Sequence, residues 1–150
     1  HVPEVNPRQI YAAGHSSAGT MALLFATHEA RLAGCVAYAP CSDVQARIKR
    51  EMPGVLHRIR EAELPGLTEF IVKSSPRTHE ARLNCPVFVF HAEDDSNVPA
   101  YESRQFIERL KGVGKDATLK TVPTGDHYES LIEEGIPAGI EWIKSRSGAK

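Results

Sequence analysis

Three short segments carry side chains that could do nucleophilic chemistry, and each follows a stretch with the pattern of a buried strand. They are residues 14–19 (GHSSAG), 91–99 (HAEDDSNVP) and 125–129 (GDHYE). Along the chain they supply serine, then aspartate, then histidine. A serine hydroxyl becomes a nucleophile when a histidine takes its proton and a carboxylate orients that histidine. The pattern therefore indicates acyl transfer through a serine nucleophile.

The first segment joins a strand directly to a helix, which places a serine on a sharp turn with its hydroxyl exposed. That turn crowds the residues two before and two after the nucleophile, so both must be small. Ser16 has Gly14 and Ala18 there, whereas Ser17 would need His15 in a crowded position. The sequence favours Ser16 as the nucleophile. The plainer alternative is a serine that only caps the following helix.

The second and third segments offer Asp94, Asp95 and His127. Acidic residues before a helix often only favour its N-terminus, and a lone histidine in a loop is usually unremarkable. However, the order Ser, Asp, His is the one that α/β hydrolases use. All three segments would also meet at the carboxyl edge of one sheet, where open α/β sheets place their reactive groups. His127 is therefore the candidate general base, with one of the two aspartates behind it.

Alternating strand and helix patterns surround these segments and predict a parallel sheet with right-handed crossovers. In the helix expected after Ser16, Met21, Leu24, Phe25 and His28 recur at helical spacing. Residues 42–80 break into short helices whose basic side chains we interpret as solvated amphipathic faces, with an anionic partner as the alternative. The predicted strands are Arg8–Ala13, Gly34–Ala39, Pro86–His91 and Thr118–Val122, and the predicted helices are Ser17–Ala30, Pro99–Lys111, Tyr128–Glu134 and Pro137–Ser145.

Composition excludes several classes of function. The 150 residues have a net charge of −1, so the basic footprint of a nucleic-acid-binding protein is missing. No apolar run approaches the roughly 20 residues that span a bilayer, so no membrane span is expected. The seven histidines show no metal-ligand spacing, and we expect neither a metal nor a cofactor.

Cysteine usage bears on the compartment. Cys35, Cys41 and Cys85 make an odd count, which favours buried thiols in a reducing, cytoplasmic environment. A Cys35–Cys41 bridge is the alternative.

The same residues resemble the catalytic domain of the prolyl oligopeptidase (S9) family, and more broadly the α/β-hydrolase esterases. The family pattern H-G-x-x-D-x-x-V-P puts the acid on Asp95 instead of Asp94, with Ala92 in place of the usual glycine. The matching segments are residues 8–11 leading into 14–19, Ser75-Pro76, Cys85-Pro86 with its strand, 91–99 and 125–127.

The resemblance implies the C-terminal half of an α/β-hydrolase fold, with about four parallel strands flanked by helices and a helical insertion at about 42–80. Residues 1–150 would form one partial catalytic domain whose N-terminal half, with the second oxyanion donor, is absent. We therefore expect the isolated chain to be poorly active. The implied site has Ser16, Asp95 and His127 as catalytic triad, the Ser17 N–H in the oxyanion hole, and Gly14, His15, Ala18 and Gly19 in the nucleophile elbow.

The expected function is a serine hydrolase that cleaves peptide bonds through an acyl-enzyme, with residues 42–80 contributing to substrate choice. The first alternative is a carboxylesterase or lipase-like hydrolase. An alternative of another class is a non-catalytic binding or scaffold module with the same fold. The expected partner is a small peptide or ester substrate, and the sequence gives no indication of the oligomeric state.

Overall fold

Four short runs of small, β-branched and aromatic residues form a parallel sheet. The computed structural model describes residues 5–62, 64 and 66–148, without the side chains of residues 60 and 61. The strands lie in the order β1-β2-β3-β4, and each neighbouring pair is parallel. β2 and β3 are buried along their whole length, as the central strands of a parallel sheet are. The strands are β1 (Tyr11–His15), β2 (Gly34–Tyr38), β3 (Val87–Ala92) and β4 (Ala117–Val122).

Helices connect the strands and cover both faces of the sheet. A 3-10 helix over Pro76–Arg82 precedes β3, and a π-helical turn over Leu131–Gly135 leads into the last helix. The predicted parallel strands, flanking helices and helical insertion are confirmed. The α-helices are α1 (Ser17–Ala26), α2 (Val44–Glu51), α3 (Val55–Glu61), α4 (Leu67–Lys73), α5 (Ala100–Gly112) and α6 (Ile136–Ser147).

The sheet separates two apolar cores. On one face, Leu23 of α1 and Phe106 and Leu110 of α5 pack with inward residues of β2 and β3. On the other face, Trp142 of α6 packs with Phe88 and other aromatic and branched side chains of the same strands. Burial of such apolar surface stabilises the fold by roughly 25 cal/mol per Å². The alternation of side chains along each central strand divides them between the two cores.

Several predicted boundaries differ from the structure. β1 begins at Tyr11, not Arg8, and extends through His15, which pairs with Tyr38 of β2. α1 ends at Ala26, because Thr27 turns its hydroxyl onto the Leu24 carbonyl and the helix does not continue. The predicted helix over Tyr128–Glu134 begins one residue later, at Glu129, has π-helical bonding over Leu131–Gly135 and continues directly into α6.

The face of α1 that packs against the sheet is not the face that carries the large apolar residues Met21 and Phe25. Met21 and Phe25 are 69% and 52% exposed, whereas Leu23 is fully buried together with Ala22 and Ala26. The helix lies against β1 and β2, and small residues allow that close approach while one leucine fills the core. The size of the side chains, and not their hydrophobicity alone, therefore determines which face of α1 packs against the sheet.

All three cysteines are buried and free, which confirms the expected buried thiols and excludes a Cys35–Cys41 bridge in this structure. Burial raises the pKa of Cys35 to about 12 and that of Cys41 to about 11, so both stay protonated at neutral pH. In the part of the chain that the structure describes, no helix has the length and apolarity needed to cross a membrane.

The buried face of α1 predicts a difference between two large apolar side chains of this helix. Leu23→Ala should lower the free energy of unfolding by about 2–5 kcal/mol, because it leaves a cavity in a fully buried position. Phe25→Ala should cost far less, since more than half of that side chain is exposed. Urea unfolding of both variants measures the difference, and equal losses would contradict the assignment of the buried face.

Candidate active site

The register of the strands brings the three predicted side chains to one edge of the sheet. His15 pairs with Tyr38 at the ends of β1 and β2, and Ala92 pairs with Val122 at the ends of β3 and β4. Ser16 follows β1 directly, Asp95 lies in the loop after β3, and His127 lies in the loop after β4. The carboxyl edge of a parallel sheet is where ligands and reactive groups collect.

Ser16 occupies a strained turn between β1 and α1. Its backbone has φ 55° and ψ −121°, a region that residues with a side chain rarely adopt. Such a conformation costs on the order of 1–3 kcal/mol and persists where the surroundings enforce it. Here the Ser16 N–H donates to the Tyr38 carbonyl (2.9 Å), while α1 begins at the next residue. The turn is thus held from both sides.

Close backbone contact explains the small residues around Ser16. A Cβ at Gly14 would lie 2.3 Å from the Ala18 carbonyl oxygen, and one at Gly19 would lie 3.0 Å from the Gly14 oxygen. No side chain fits at Gly14 without moving the backbone. Ala18 is exposed, so its methyl group replaces the usual glycine hydrogen without entering this contact.

Asp95 and His127 form a buried hydrogen-bonded pair. The His127 Nδ1–H donates to Asp95 Oδ2 at 2.7 Å, with side chains that are 2% and 0% exposed. The other carboxylate oxygen accepts the backbone N–H groups of Asn97 (2.9 Å) and Val98 (2.8 Å). With its proton held at Nδ1, the neutral His127 ring has a bare Nε2, which is the tautomer that a general base needs.

Ser16 and His127 are not hydrogen-bonded to each other in this structure. His127 Nε2 is buried and has no hydrogen-bond partner among the described residues, so the Ser16 hydroxyl does not bond to it here. Hydrogen bonds of this kind are often long without substrate and shorten when it binds. Of the three predicted groups, two are therefore in contact and the third lies at the same edge of the sheet.

Asp94, the alternative candidate acid, and Asp126, which the sequence did not single out, tie the acid loop to the histidine loop. Asp94 accepts the backbone N–H groups of Gly125 (3.3 Å) and Asp126 (2.9 Å). In return, Asp126 accepts the backbone N–H and the hydroxyl of Ser96, which lower the pKa of its carboxyl. These bonds stabilise positive φ angles of 114° at Gly125 and 43° at Asp126. The sequence shows adjacent acidic residues in a short loop, but it does not show which groups they bind.

His15 supports the backbone of the predicted base. Its Nε2–H donates to the carbonyl oxygen of His127 (2.8 Å), and the two rings lie 4.6 Å apart. The Tyr128 ring packs edge-on against both. Burial lowers the pKa of His15, so the ring is neutral at pH 7 and adds no charge beside His127. The residue before the predicted nucleophile therefore contacts the loop of the predicted base.

A cavity of about 530 Å³ opens beside Ser16, between α1 and the helices of the insertion. Its walls are mainly apolar. Arg47 at its border is bound to Glu51 (3.0 Å) and to the side-chain oxygen of Asn97 (3.1 Å). The lining residues are Ser16, Ser17, Thr20, Met21, Leu24, Cys41, Val44, Arg47, Phe70 and Ser74.

A metal site would need several ligating side chains close together. Over residues 5–62, 64 and 66–148, no three histidine, cysteine or acidic side chains are grouped as a metal ion would require.

Solved structures share this arrangement of strands and helices. A puromycin-hydrolyzing peptidase from Mycobacterium tuberculosis is 20% identical, with a TM-score of 0.77 over 93% of this chain and 22% of its own. The Pyrococcus horikoshii acylaminoacyl peptidase is 19% identical, with a TM-score of 0.79 over 95% and 25%. A monoacylglycerol lipase from Paleococcus ferrophilus is 21% identical, with a TM-score of 0.64 over 91% and 68%.

These similarities concern the fold, and they confirm the predicted α/β-hydrolase fold, of which this chain forms a part. The chain spans less than a third of the length of the two peptidases. No curated protein matches the sequence. The sequence does match the profile of the prolyl oligopeptidase family over residues 3–144. Because that match covers nearly all of the sequence, this chain belongs to the prolyl oligopeptidase family.

Proposed function

We propose that this chain carries the nucleophile, acid and base of a serine hydrolase that works through an acyl-enzyme. The main support is the buried 2.7 Å hydrogen bond between Asp95 and His127, at the sheet edge where the strained Ser16 turn also lies. A buried carboxylate is expensive unless its hydrogen bonds are satisfied. The fold holds this one against an imidazole whose other nitrogen is bare.

In the proposed reaction, the Ser16 oxygen attacks the substrate carbonyl carbon while its proton passes to His127 Nε2. The Asp95 carboxylate stabilises the imidazolium that forms and keeps the ring in place. The tetrahedral intermediate collapses as His127 returns the proton to the leaving amine or alkoxide, which departs. Water then repeats the sequence on the acyl-enzyme, with His127 again taking and returning one proton.

The oxyanion of that intermediate needs donors next to Ser16. Ser17 is the first residue of α1, and the first N–H groups of a helix have no partner within the helix. The Ser17 N–H is therefore available at the positive end of the helix dipole. One such donor contributes roughly 2.7–4 kcal/mol to transition-state stabilisation in other enzymes. A second donor would come from residues outside this chain.

Peptide bonds are the proposed substrates, on the basis of family membership. The apolar cavity beside Ser16 is suited to an apolar substrate side chain or acyl group. Carboxylic esters are the second candidate, because the same cavity could hold an acyl chain and a lipase shares the fold. Parallel assays of peptides and short-acyl esters on the full-length protein would separate the two.

A fluorophosphonate probe tests the nucleophile directly. We expect it to label the full-length protein at Ser16, since the probe reacts with a serine that a histidine activates. Ser16→Ala should abolish labelling, whereas Ser17→Ala keeps its backbone N–H and should still be labelled. Peptide mapping by mass spectrometry identifies the modified residue. A folded full-length protein that takes up no probe would favour the non-catalytic scaffold.

Neighbouring aspartates provide a matched test of the acid. Asp95→Asn should lower kcat by about 10⁴-fold, the size of effect seen when a triad aspartate loses its charge elsewhere. Asp94→Asn should lower kcat far less, because its amide oxygen can still accept the Asp126 N–H and only the longer bond from the Gly125 N–H is lost. Steady-state kinetics on both variants decide the assignment, and a larger loss in Asp94→Asn would overturn it.

The cavity predicts a change in selectivity when its wall is enlarged. Leu24→Trp should lower kcat/KM for substrates with a large apolar group by about 10-fold or more relative to alanine-sized ones, because small steric differences in a pocket have effects of that order. Phe25→Trp is the control, since Phe25 is not among the lining residues. Competition assays with paired substrates measure the ratio. An equal ratio in both variants would show that the substrate does not use this cavity.

A further inference from the structure

His91 is a fully buried histidine that the proposed reaction does not use. It lies near the end of β3, with no exposed surface. Its Nδ1 lies 2.8 Å from the Ser103 hydroxyl of α5. Its Nε2 lies 2.8 Å from the Val98 carbonyl oxygen and 3.1 Å from Asp95 Oδ2. The ring thus connects α5 to the loop that carries the predicted acid.

The partners fix the position of the proton on this ring. The Val98 carbonyl and the Asp95 carboxylate can only accept hydrogen bonds, so Nε2 must carry the hydrogen that they share. Nδ1 is then bare and accepts the Ser103 hydroxyl. Burial lowers the pKa of His91, so the neutral form is favoured. Its charged or titratable neighbours are Asp95, His127, His15 and Glu93, while its α5 partner is uncharged.

A single oxygen of Asp95 therefore faces two imidazole rings. Oδ2 accepts from His127 at 2.7 Å, and His91 Nε2 lies 3.1 Å from the same oxygen. Oδ1 is already held by two backbone N–H groups. With donors on both oxygens and a side chain that has no exposed surface, the carboxylate cannot rotate without losing at least one hydrogen bond.

We propose that His91 is a positioning residue, whose Nε2–H fixes Asp95 and draws part of the negative charge on Oδ2 away from His127. This inference rests on the proposed roles of Asp95 and His127. The unit that aligns the base then runs from His91 through Asp95 to His127. A histidine that only filled the core would need no donor aimed at the same oxygen.

The first test needs no catalysis. In the full-length protein with ¹⁵N-labelled histidine, NMR should show His91 as the neutral Nε2–H tautomer at pH 7. The His127 Nδ1–H should give a far-downfield proton signal that shifts in His91→Asn. An Nδ1–H tautomer or a charged His91 ring would overturn the proposal, even if the protein proved inactive.

The second test uses two amides that place their NH₂ groups differently. Glutamine can put an NH₂ near the position of Nε2, whereas the shorter asparagine reaches only the position of Nδ1. His91→Asn should lower kcat by about 10–100-fold, the usual range when a partner of an active-site group is lost, and His91→Gln should recover most of that loss. The acidic limb of the kcat/KM profile should move to higher pH in His91→Asn. The reason is that a carboxylate with one donor fewer holds the imidazolium proton more tightly.

Ser103→Ala serves as the structural control, because it breaks the hydrogen bond on the other side of the ring and leaves the Nε2–H in place. It should lower the Tm without moving the acidic limb. An unchanged kcat and pH profile in folded His91→Asn would overturn the proposal, as would equal losses in the Asn and Gln variants with an unmoved limb. If the wild type lacks hydrolase activity, the proposed function fails, while the NMR result still decides the role of His91.

Discussion

All four strands run in the same direction, and the remaining features of the site depend on that constraint. A parallel ladder needs a crossover after every strand, so each loop that leaves a strand emerges at one edge. The register pairs His15 with Tyr38 and Ala92 with Val122. The loops that carry Ser16, Asp95 and His127 therefore lie close together without having to be long. A slip of one residue in a strand would turn its buried side chains to the other face.

Hydrogen bonding then fixes what the sheet brings together. Asp95 accepts three hydrogen bonds and lies 3.1 Å from His91 Nε2. The loop bearing His127 is held by Asp94 and Asp126 on one side and by His15 on the other. Three histidines and a carboxylate share a nearly dry region, where an unpaired polar group would cost on the order of 1–3 kcal/mol. Burial keeps His15 and His91 neutral. The site therefore avoids a cluster of positive charge around the base.

The sequence predicted much of this arrangement, because local patterns encode strands, turns and the steric limits of the Ser16 turn. Gly14 and Ala18 pointed to Ser16, and the structure shows the backbone contact that excludes a side chain at Gly14. The sequence did not predict which face of α1 is buried, since the approach distance of a helix to a sheet is a tertiary property. The partners of Asp94 and His91 could not be predicted either. They lie in other loops or helices, and no spacing rule connects them.

α2 contacts two parts of the molecule whose roles enzymes often vary separately: the cavity beside Ser16 and the loop that carries Asp95. One of its residues, Arg47, borders the cavity beside Ser16 and binds Asn97, whose backbone in turn donates to Asp95. Another, Arg50, forms an ion pair with the buried Glu102 of α5. A substitution that reshapes the cavity by shifting this helix therefore also disturbs the loop of the acid. In the proposed enzyme, changes of substrate preference through α2 and changes of catalytic competence are mechanically linked, and divergence along that route would require compensating substitutions.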